Sequence, residues 1–384
     1  MSPSSTASPQ STRERTRSCA TDLVCHRCEH SYPLSDTVFA CPDCGKGLDI
    51  AYDYELAASH FKDFPSSERP QNIWHFEELL PILDASAQAR VGQHSGYTPL
   101  IRADRLGAEL GLSNLYLKDD SSNRPSLSYK DRVVSMSVAR LLERGKTEIG
   151  CVSTGNVGTA VASLAAKAGV DAFIFYPNRL EEMKARACMA LGARVVQVEG
   201  NYDEANRRCR EVAEATGMDF ANITLRPFYA EGAKTAAFEI VEQLDWQAPD
   251  HIITAAAGGT LSSRLHKGLV ELQLLELAET DSTRIHIAQP SGCNPIATAI
   301  VAEEAEIRAV TPETAAHSLA IGNPGDGYLV IDAVLKRGGT GGFASDDRDD
   351  RVVGREASSG GEFLKDGDRG AAGRLGEQAL GGSE

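Results

Sequence analysis

A chain of 384 residues is long for one hydrophobic core, and an apolar content of 42% is enough to fill two or three. A formal charge of −15 argues against a nucleic-acid binder, whose footprint is basic, but leaves a small anionic substrate open because local charge decides that. No apolar run approaches the length of a membrane span, and residues 1–18 lack the apolar centre of a secretory signal, so a cytoplasmic protein with no membrane partner is expected.

The chain opens on a Ser/Thr-rich segment, read as a disordered tail over residues 1–20. Cys25 and Cys28, then Cys41 and Cys44, form two pairs with twelve residues between them. Such knuckles can place four thiolates around one tetrahedral zinc, and four protein ligands leave no open position, so the expected zinc is structural. The competing readings are thiol pairs kept without metal or a redox disulfide, and His26 and His30 are alternative ligands. This defines a zinc-ribbon-like module over residues 21–52. The scattered Cys19, Cys151, Cys188, Cys209 and Cys293 read as small buried side chains.

Residues 53–112 read as an arm around the core, anchored by Trp74 and Phe76. Leu115–Leu117 is a short apolar strand. The segment Asn123–Arg132 follows and feeds an amphipathic helix over Arg132–Leu142, with Ser126 and Ser128 placed to satisfy amides at its start. Lys130 sits in that first turn, an amine suited to a Schiff base. Strands and helices then alternate: Glu148–Ser153, Val157–Ala168, Asp171–Pro177, Glu181–Leu191, Ala193–Val198 and Tyr202–Thr216. The alternation resumes with helix Gly232–Leu244, strand Asp250–Thr254, helix Leu261–Leu275 and strand Arg284–Ala288. Spacings of about 20–25 residues are the rhythm of βαβ units. The expected fold is α/β, with two open parallel-sheet domains: a small one over 113–223 and a large one combining 53–112 with 224–337. A ligand belongs in the cleft between them, where strand ends meet helix starts.

Two further stretches carry chemistry. Ser153, Thr154, Gly155 and Asn156 lie at a strand-to-helix junction, where free amides point at an anion. Ala257, Gly258, Gly259, Thr260 and Leu261 follow another strand, and glycines there let the backbone approach a phosphate. Lys118, Arg226 and Lys234 read first as surface or structural charges and second as candidate cations for a phosphate. No G-x-G-x-x-G follows a strand, which disfavours a dinucleotide-binding dehydrogenase.

With the strings Leu127–Arg132, Leu225–Gly232 and Ser318–Pro324, these motifs resemble the pyridoxal-phosphate enzymes of the tryptophan-synthase-β fold type, and among them the threonine synthases. The resemblance covers about Leu23 to Lys336. It implies that Lys130 carries pyridoxal 5'-phosphate and moves protons, and that Asn156 bonds the ring hydroxyl oxygen. It also implies that Ser153–Asn156 hold the substrate carboxylate and Ala257–Leu261 the cofactor phosphate. The implied reaction takes O-phospho-L-homoserine and water to L-threonine and phosphate, in a homodimer whose N-terminal ribbon has counterparts in the family. A serine/threonine dehydratase of the same fold is the alternative, and a catalytically silent homologue is a third reading. That third reading comes from residues 338–384, where Gly, Arg, Asp and Ser dominate and apolar residues are too sparse for a helix or buried strand. The family's hydroxyl facing the ring nitrogen finds no match there, and a frameshift near Asp347–Arg351 would account for the change.

Overall fold

The computed structural model describes residues 15–36, 40–62, 69–153, 155–177, 182–200 and 202–346, together with 362–364. The first unit is a three-stranded antiparallel sheet of β1 (Ala20–Cys25), β2 (Ser31–Pro33) and β3 (Leu48–Tyr52), in the order β2-β1-β3. In β3 the residues alternate inward and outward, which puts Leu48, Ile50 and Tyr52 on one buried face beside Leu23 and Cys25. Phe228, from a later helix, completes that small core.

The arm carries α1 (Tyr54–His60) and α2 (Ala85–Arg90), whose first turns are capped by Asp53 and Asp84. Trp74 and Phe76 are buried, and the Trp74 indole donates to the Val91 carbonyl at 2.8 Å. Next come β4 (Leu100–Arg102), α3 (Asp104–Leu110), β5 (Leu115–Lys118) and α4 (Lys130–Glu143).

A four-stranded parallel sheet follows, in the order β8-β7-β6-β9. It is built from β6 (Glu148–Val152), α5 (Asn156–Ala168), β7 (Asp171–Pro177), α6 (Glu182–Ala190), β8 (Arg194–Val198), α7 (Tyr202–Thr216) and β9 (Asp219–Phe220). The chain then runs through α8 (Arg226–Gln243), β10 (His251–Ala255), α9 (Thr260–Leu274), β11 (Arg284–Pro290), α10 (Pro295–Val301), α11 (Gly327–Lys336), β12 (Gly341–Ala344) and β13 (Glu362–Leu364). The second large sheet has the order β12-β11-β10-β13-β5-β4, parallel through β10–β12 and antiparallel from β13 to β4. No helix among the described residues is long and apolar enough to cross a membrane.

Three differences from the sequence reading have physical causes. Leu115–Lys118 belongs to the six-stranded sheet rather than to a unit beginning at residue 113, because β4, one short helix upstream, pairs with it antiparallel. Helix α8 starts at Arg226, six residues before the expected Gly232, since Pro227 in its first turn is preorganised for a helix start. Strand β12 lies beyond residue 337, where no strand was expected. It has no apolar rhythm because Gly341 passes so close to α10 that a Cβ would lie 2.7 Å from the Ala297 backbone. Strand β13 also falls in that region, while residues 347–361 and 365–384 lie outside the described residues, and with them the proposed frameshift point. Residues 1–14 of the expected tail do so too.

Helices α4 and α8 form the centre. Gly232 lets them touch: a Cβ there would sit 2.2 Å from the Arg132 carbonyl oxygen. Helix α8 is buried continuously from Pro227 to Val241.

Candidate active site

Between the two large sheets lies a cleft of about 870 Å³. Lys130 lines it from the first position of α4, its Nζ donating to the Tyr129 hydroxyl at 2.6 Å. The preceding loop is fixed from within. The Ser128 hydroxyl accepts from the Lys130 amide at 3.2 Å, and the Asn123 side chain donates to the Ser128 carbonyl at 3.0 Å. Asp131 accepts the Ser126 amide at 2.9 Å, and burial pushes its carboxyl up to about 7.

On one wall, β6 ends at Val152 and α5 begins at Asn156. The Ser153 hydroxyl accepts from the amides of Gly155 (3.0 Å) and Gly158 (2.8 Å), which fixes the turn. Asn222 brackets the strand end, accepting from the Val152 amide at 3.2 Å and donating to its carbonyl at 2.9 Å. Ser153, Gly155 and Asn156 line the cleft as the motif predicts, whereas Thr154 lies outside the described residues.

On the opposite wall, Ala257, Gly258, Gly259, Thr260 and Leu261 all line the cleft where α9 begins. That helix start carries no side-chain cap, so its first amides are available to an anion. Gly259 has φ +97° and lies so close to α11 that a Cβ would meet Val330 at 2.8 Å. Gly258, by contrast, has open space: the nearest atom to a Cβ would be Ile321 Cδ1 at 3.8 Å. Arg226 donates to the Thr260 hydroxyl at 2.7 Å. That hydroxyl donates to Asp326 at 3.0 Å, and Asp326 pairs directly with Arg226. An uncapped helix start, a glycine with open space beside it and a partly exposed guanidinium fit a phosphate, and Lys130 in the same cleft fits an aldehyde.

Two expected substrate cations are elsewhere. Lys118 is buried behind the cleft, paired with Glu239 at 2.8 Å and donating to the Thr98 carbonyl at 2.6 Å. Lys234 is equally enclosed, with Glu231 at 2.7 Å and Glu271 at 2.8 Å. Burial pushes both ammonium groups below the usual lysine range. Lys118 balances Glu239 on α8, and Lys234 balances Glu231 one turn earlier on its own helix and Glu271 on α9, and neither lines the cleft. The cleft instead contains Tyr202, Asn206, Arg207 and Arg210 from α7, and Ser318, Leu319 and Asn323 from the loop before α11. The α7 residues had no motif to reveal them; the loop residues belong to the string Ser318–Pro324.

The four cysteine sulfurs form a second site. Cys25 and Cys44 are 3.4 Å apart, as are Cys28 and Cys41, and Cys44 and Cys28 are 3.8 Å apart. A tetrahedron with zinc–sulfur bonds of about 2.3 Å has edges of about 3.8 Å, so the cluster has the shape of a four-thiolate metal site. Among themselves the four thiols share protons: hydrogen bonding lowers Cys41 and Cys25, and contacts with those two sulfurs raise Cys28 and Cys44.

Fold and cleft together define an α/β enzyme with an amine beside an anion site, and residues 91–353 match the pyridoxal-phosphate dependent enzyme family, to which the chain belongs. It is 32% identical over 331 residues to the threonine synthase of Methanocaldococcus jannaschii, covering 86% of this chain and 80% of that protein. Against the threonine synthase of Methanosarcina acetivorans the identity is 30%, with coverages of 85% and 78%. Among solved structures, diaminopropionate ammonia lyase from Escherichia coli aligns with a TM-score of 0.57 at 20% identity, over 85% of this chain and 76% of that one. Maize serine racemase aligns with a TM-score of 0.56 at 23% identity, over 68% and 77%. These two likenesses concern the fold.

Proposed function

We propose that this protein is a threonine synthase, converting O-phospho-L-homoserine and water to L-threonine and phosphate with pyridoxal 5'-phosphate. The observation that carries the reading is one cleft holding an amine, an uncapped helix start and separate cations. Lys130 holds the cofactor's aldehyde carbon and afterwards moves protons at the substrate's Cα and Cβ. The cofactor supplies an electron sink for the charge left on those carbons. The amides of Gly258–Leu261 hold the cofactor phosphate, Asn156 the ring hydroxyl oxygen, and the Ser153–Asn156 turn the substrate carboxylate.

Arg226, Arg207 and Arg210 replace Lys118 and Lys234 as the groups for the substrate phosphate. All three line the cleft, and arginine forks match phosphate oxygens. The four cysteines hold a structural zinc. Assembly as a homodimer and a cytoplasmic location belong to the same reading and rest on the resemblance alone. The tail offers no sequence match for the family's ring-nitrogen hydroxyl, and residues 347–361 and 365–384 lie outside the described residues.

Phosphate and threonine release from O-phospho-L-homoserine, with added pyridoxal phosphate and a Lys130→Ala control, tests the proposal. Equal release of both products, lost in the control, is the expected result. Keto-acid formation from L-serine or L-threonine without phosphate release would instead establish the dehydratase. Silence with every substrate would leave a non-catalytic relative.

A further inference from the structure

The cysteine module is built into the cleft. Ala40 and Gly45 line it, each one residue from a ligating cysteine, Cys41 and Cys44. Among the described residues the module also grips α4, α8, α9 and α11, four of the helices whose starts carry site groups, but not α5. It holds α4 through Arg140, which donates to the Leu34 carbonyl at 2.6 Å. It holds α8 through Phe228, buried in the module's own core, and through Tyr52, whose hydroxyl donates to Glu231 at 2.7 Å. On α9, Lys267 donates to Asp49 and to the Ile50 carbonyl, both at 2.7 Å, and Arg264 pairs with Asp49 at 2.5 Å. On α11, the Tyr328 ring meets His26 edge-on at 6.4 Å, lies under Lys46 at 5.3 Å and abuts Gly47.

The last contact leads directly to the anion site. Tyr328 is two residues from Asp326, which anchors Arg226 and Thr260 and donates its amide to the Gly258 carbonyl at 3.1 Å. The module's core is too small to hold residues 40–47 firmly by apolar burial alone, and units of this size depend on metals or disulfides. A metal tying Cys25 and Cys28 to Cys41 and Cys44 would fix that segment against Tyr328.

We propose that the metal-loaded cysteine module is a positioning element of the phosphate end of the cleft, acting through Tyr328 on Asp326 and the start of α9. The inference rests on the metal reading above but not on the identity of the substrate. Binding at the two sites is then reciprocally coupled: metal tightens the grip on the cofactor phosphate, and the cofactor tightens the grip on metal.

The test uses full-length, zinc-loaded protein, titrated with pyridoxal phosphate by absorbance before and after chelation, alongside amide exchange on both forms. Chelation is expected to weaken pyridoxal-phosphate binding by roughly fivefold or more, the usual scale of such coupling, with recovery on adding zinc. Exchange should quicken at residues 258–262 and 322–330 while residues 156–168 on the opposite wall stay unchanged. Tyr328→Ala should reproduce both effects with metal content intact, and Tyr328→Phe, which keeps the ring but loses the hydroxyl that meets Gly47, should show a smaller loss than Tyr328→Ala. Unchanged cofactor affinity after chelation would overturn the proposal. So would quickened exchange confined to residues 20–52 or spread evenly over the chain, and so would a protein that takes up no metal at its four cysteines. If the zinc-loaded protein bound no pyridoxal phosphate, the proposed activity would fall, and the exchange pattern would still decide this inference.

Discussion

Lys130 and Lys234 stand at the front and back of the same helical centre, in opposite polar environments. Behind the cleft, every large charge has a partner. Arg132 grips Asp120 at 2.7 Å and Glu239 at 2.8 Å, Lys118 shares Glu239, and Lys234 lies between Glu231 and Glu271. In the cleft, the Lys130 amine has the Tyr129 hydroxyl beside it and space ahead, and the first amides of α9 have no side-chain cap. A buried charge that meets its complement within the fold is structural, whereas polar groups gathered around open space are set for a ligand.

Breaking the front should disable chemistry and spare the fold. Lys130→Ala should lower turnover by on the order of 10²–10⁴-fold, the range for losing a positioned acid–base group, with an unchanged thermal midpoint. Breaking the back should do the reverse. Glu239→Ala leaves Arg132 and Lys118 without their shared carboxylate and should cost about 3–5 kcal/mol in denaturant unfolding. The two glycines of the anion loop sharpen the contrast at the scale of one methyl group. Gly259→Ala, at positive φ and against Val330, should cost roughly 1–3 kcal/mol. Gly258→Ala should leave stability within about 0.5 kcal/mol yet weaken pyridoxal-phosphate binding, as absorbance titration would show.

A further effect is one of pH. Asp131 is raised from 3.8 to about 7 by burial, so the stability tied to its protonated form is complete below about pH 4 and lost as pH rises through 7. Glu239 runs the other way. Arg132 and Lys118 overcome its burial and lower it from 4.5 to about 2, so its contribution is present above pH 4.5 and lost as pH falls towards 2. Asp131→Asn should flatten the stability profile between pH 4 and 7 and leave the acid limb in place.

The difference between front and back also marks what the sequence could reveal. Lys130, the Ser153 turn and the Gly258–Gly259 loop were legible because their geometry is local: each sits at a helix start a few residues from the strand or loop that aims it. Lys118 and Lys234 lie in structural ion pairs. Glu231, three residues before Lys234 on α8, is visible in the sequence, whereas Glu239 reaches Lys118 from α8 and Glu271 reaches Lys234 from α9 by tertiary packing, which a lysine's own neighbourhood does not announce. Arg207 and Arg210 were missed for the same reason, being ordinary charges on an amphipathic helix until the fold turns them towards the cleft. Strand β12 escaped because a chain that must pass close to α10 gives up the side chains that periodicity detects.

Helix α8 offers a last consequence. From Pro227 to Val241 it has no solvent-facing side, so the usual allowance of one tolerant position in every few along a helix does not exist there. In a saturation library this segment should appear as an unbroken band of intolerance. Helix α7, with Arg208 and Glu211 exposed on its outer side, should show the periodic tolerance of a surface helix there. Natural variation would then be channelled to the chain around α8, leaving that helix the most slowly changing stretch of the protein.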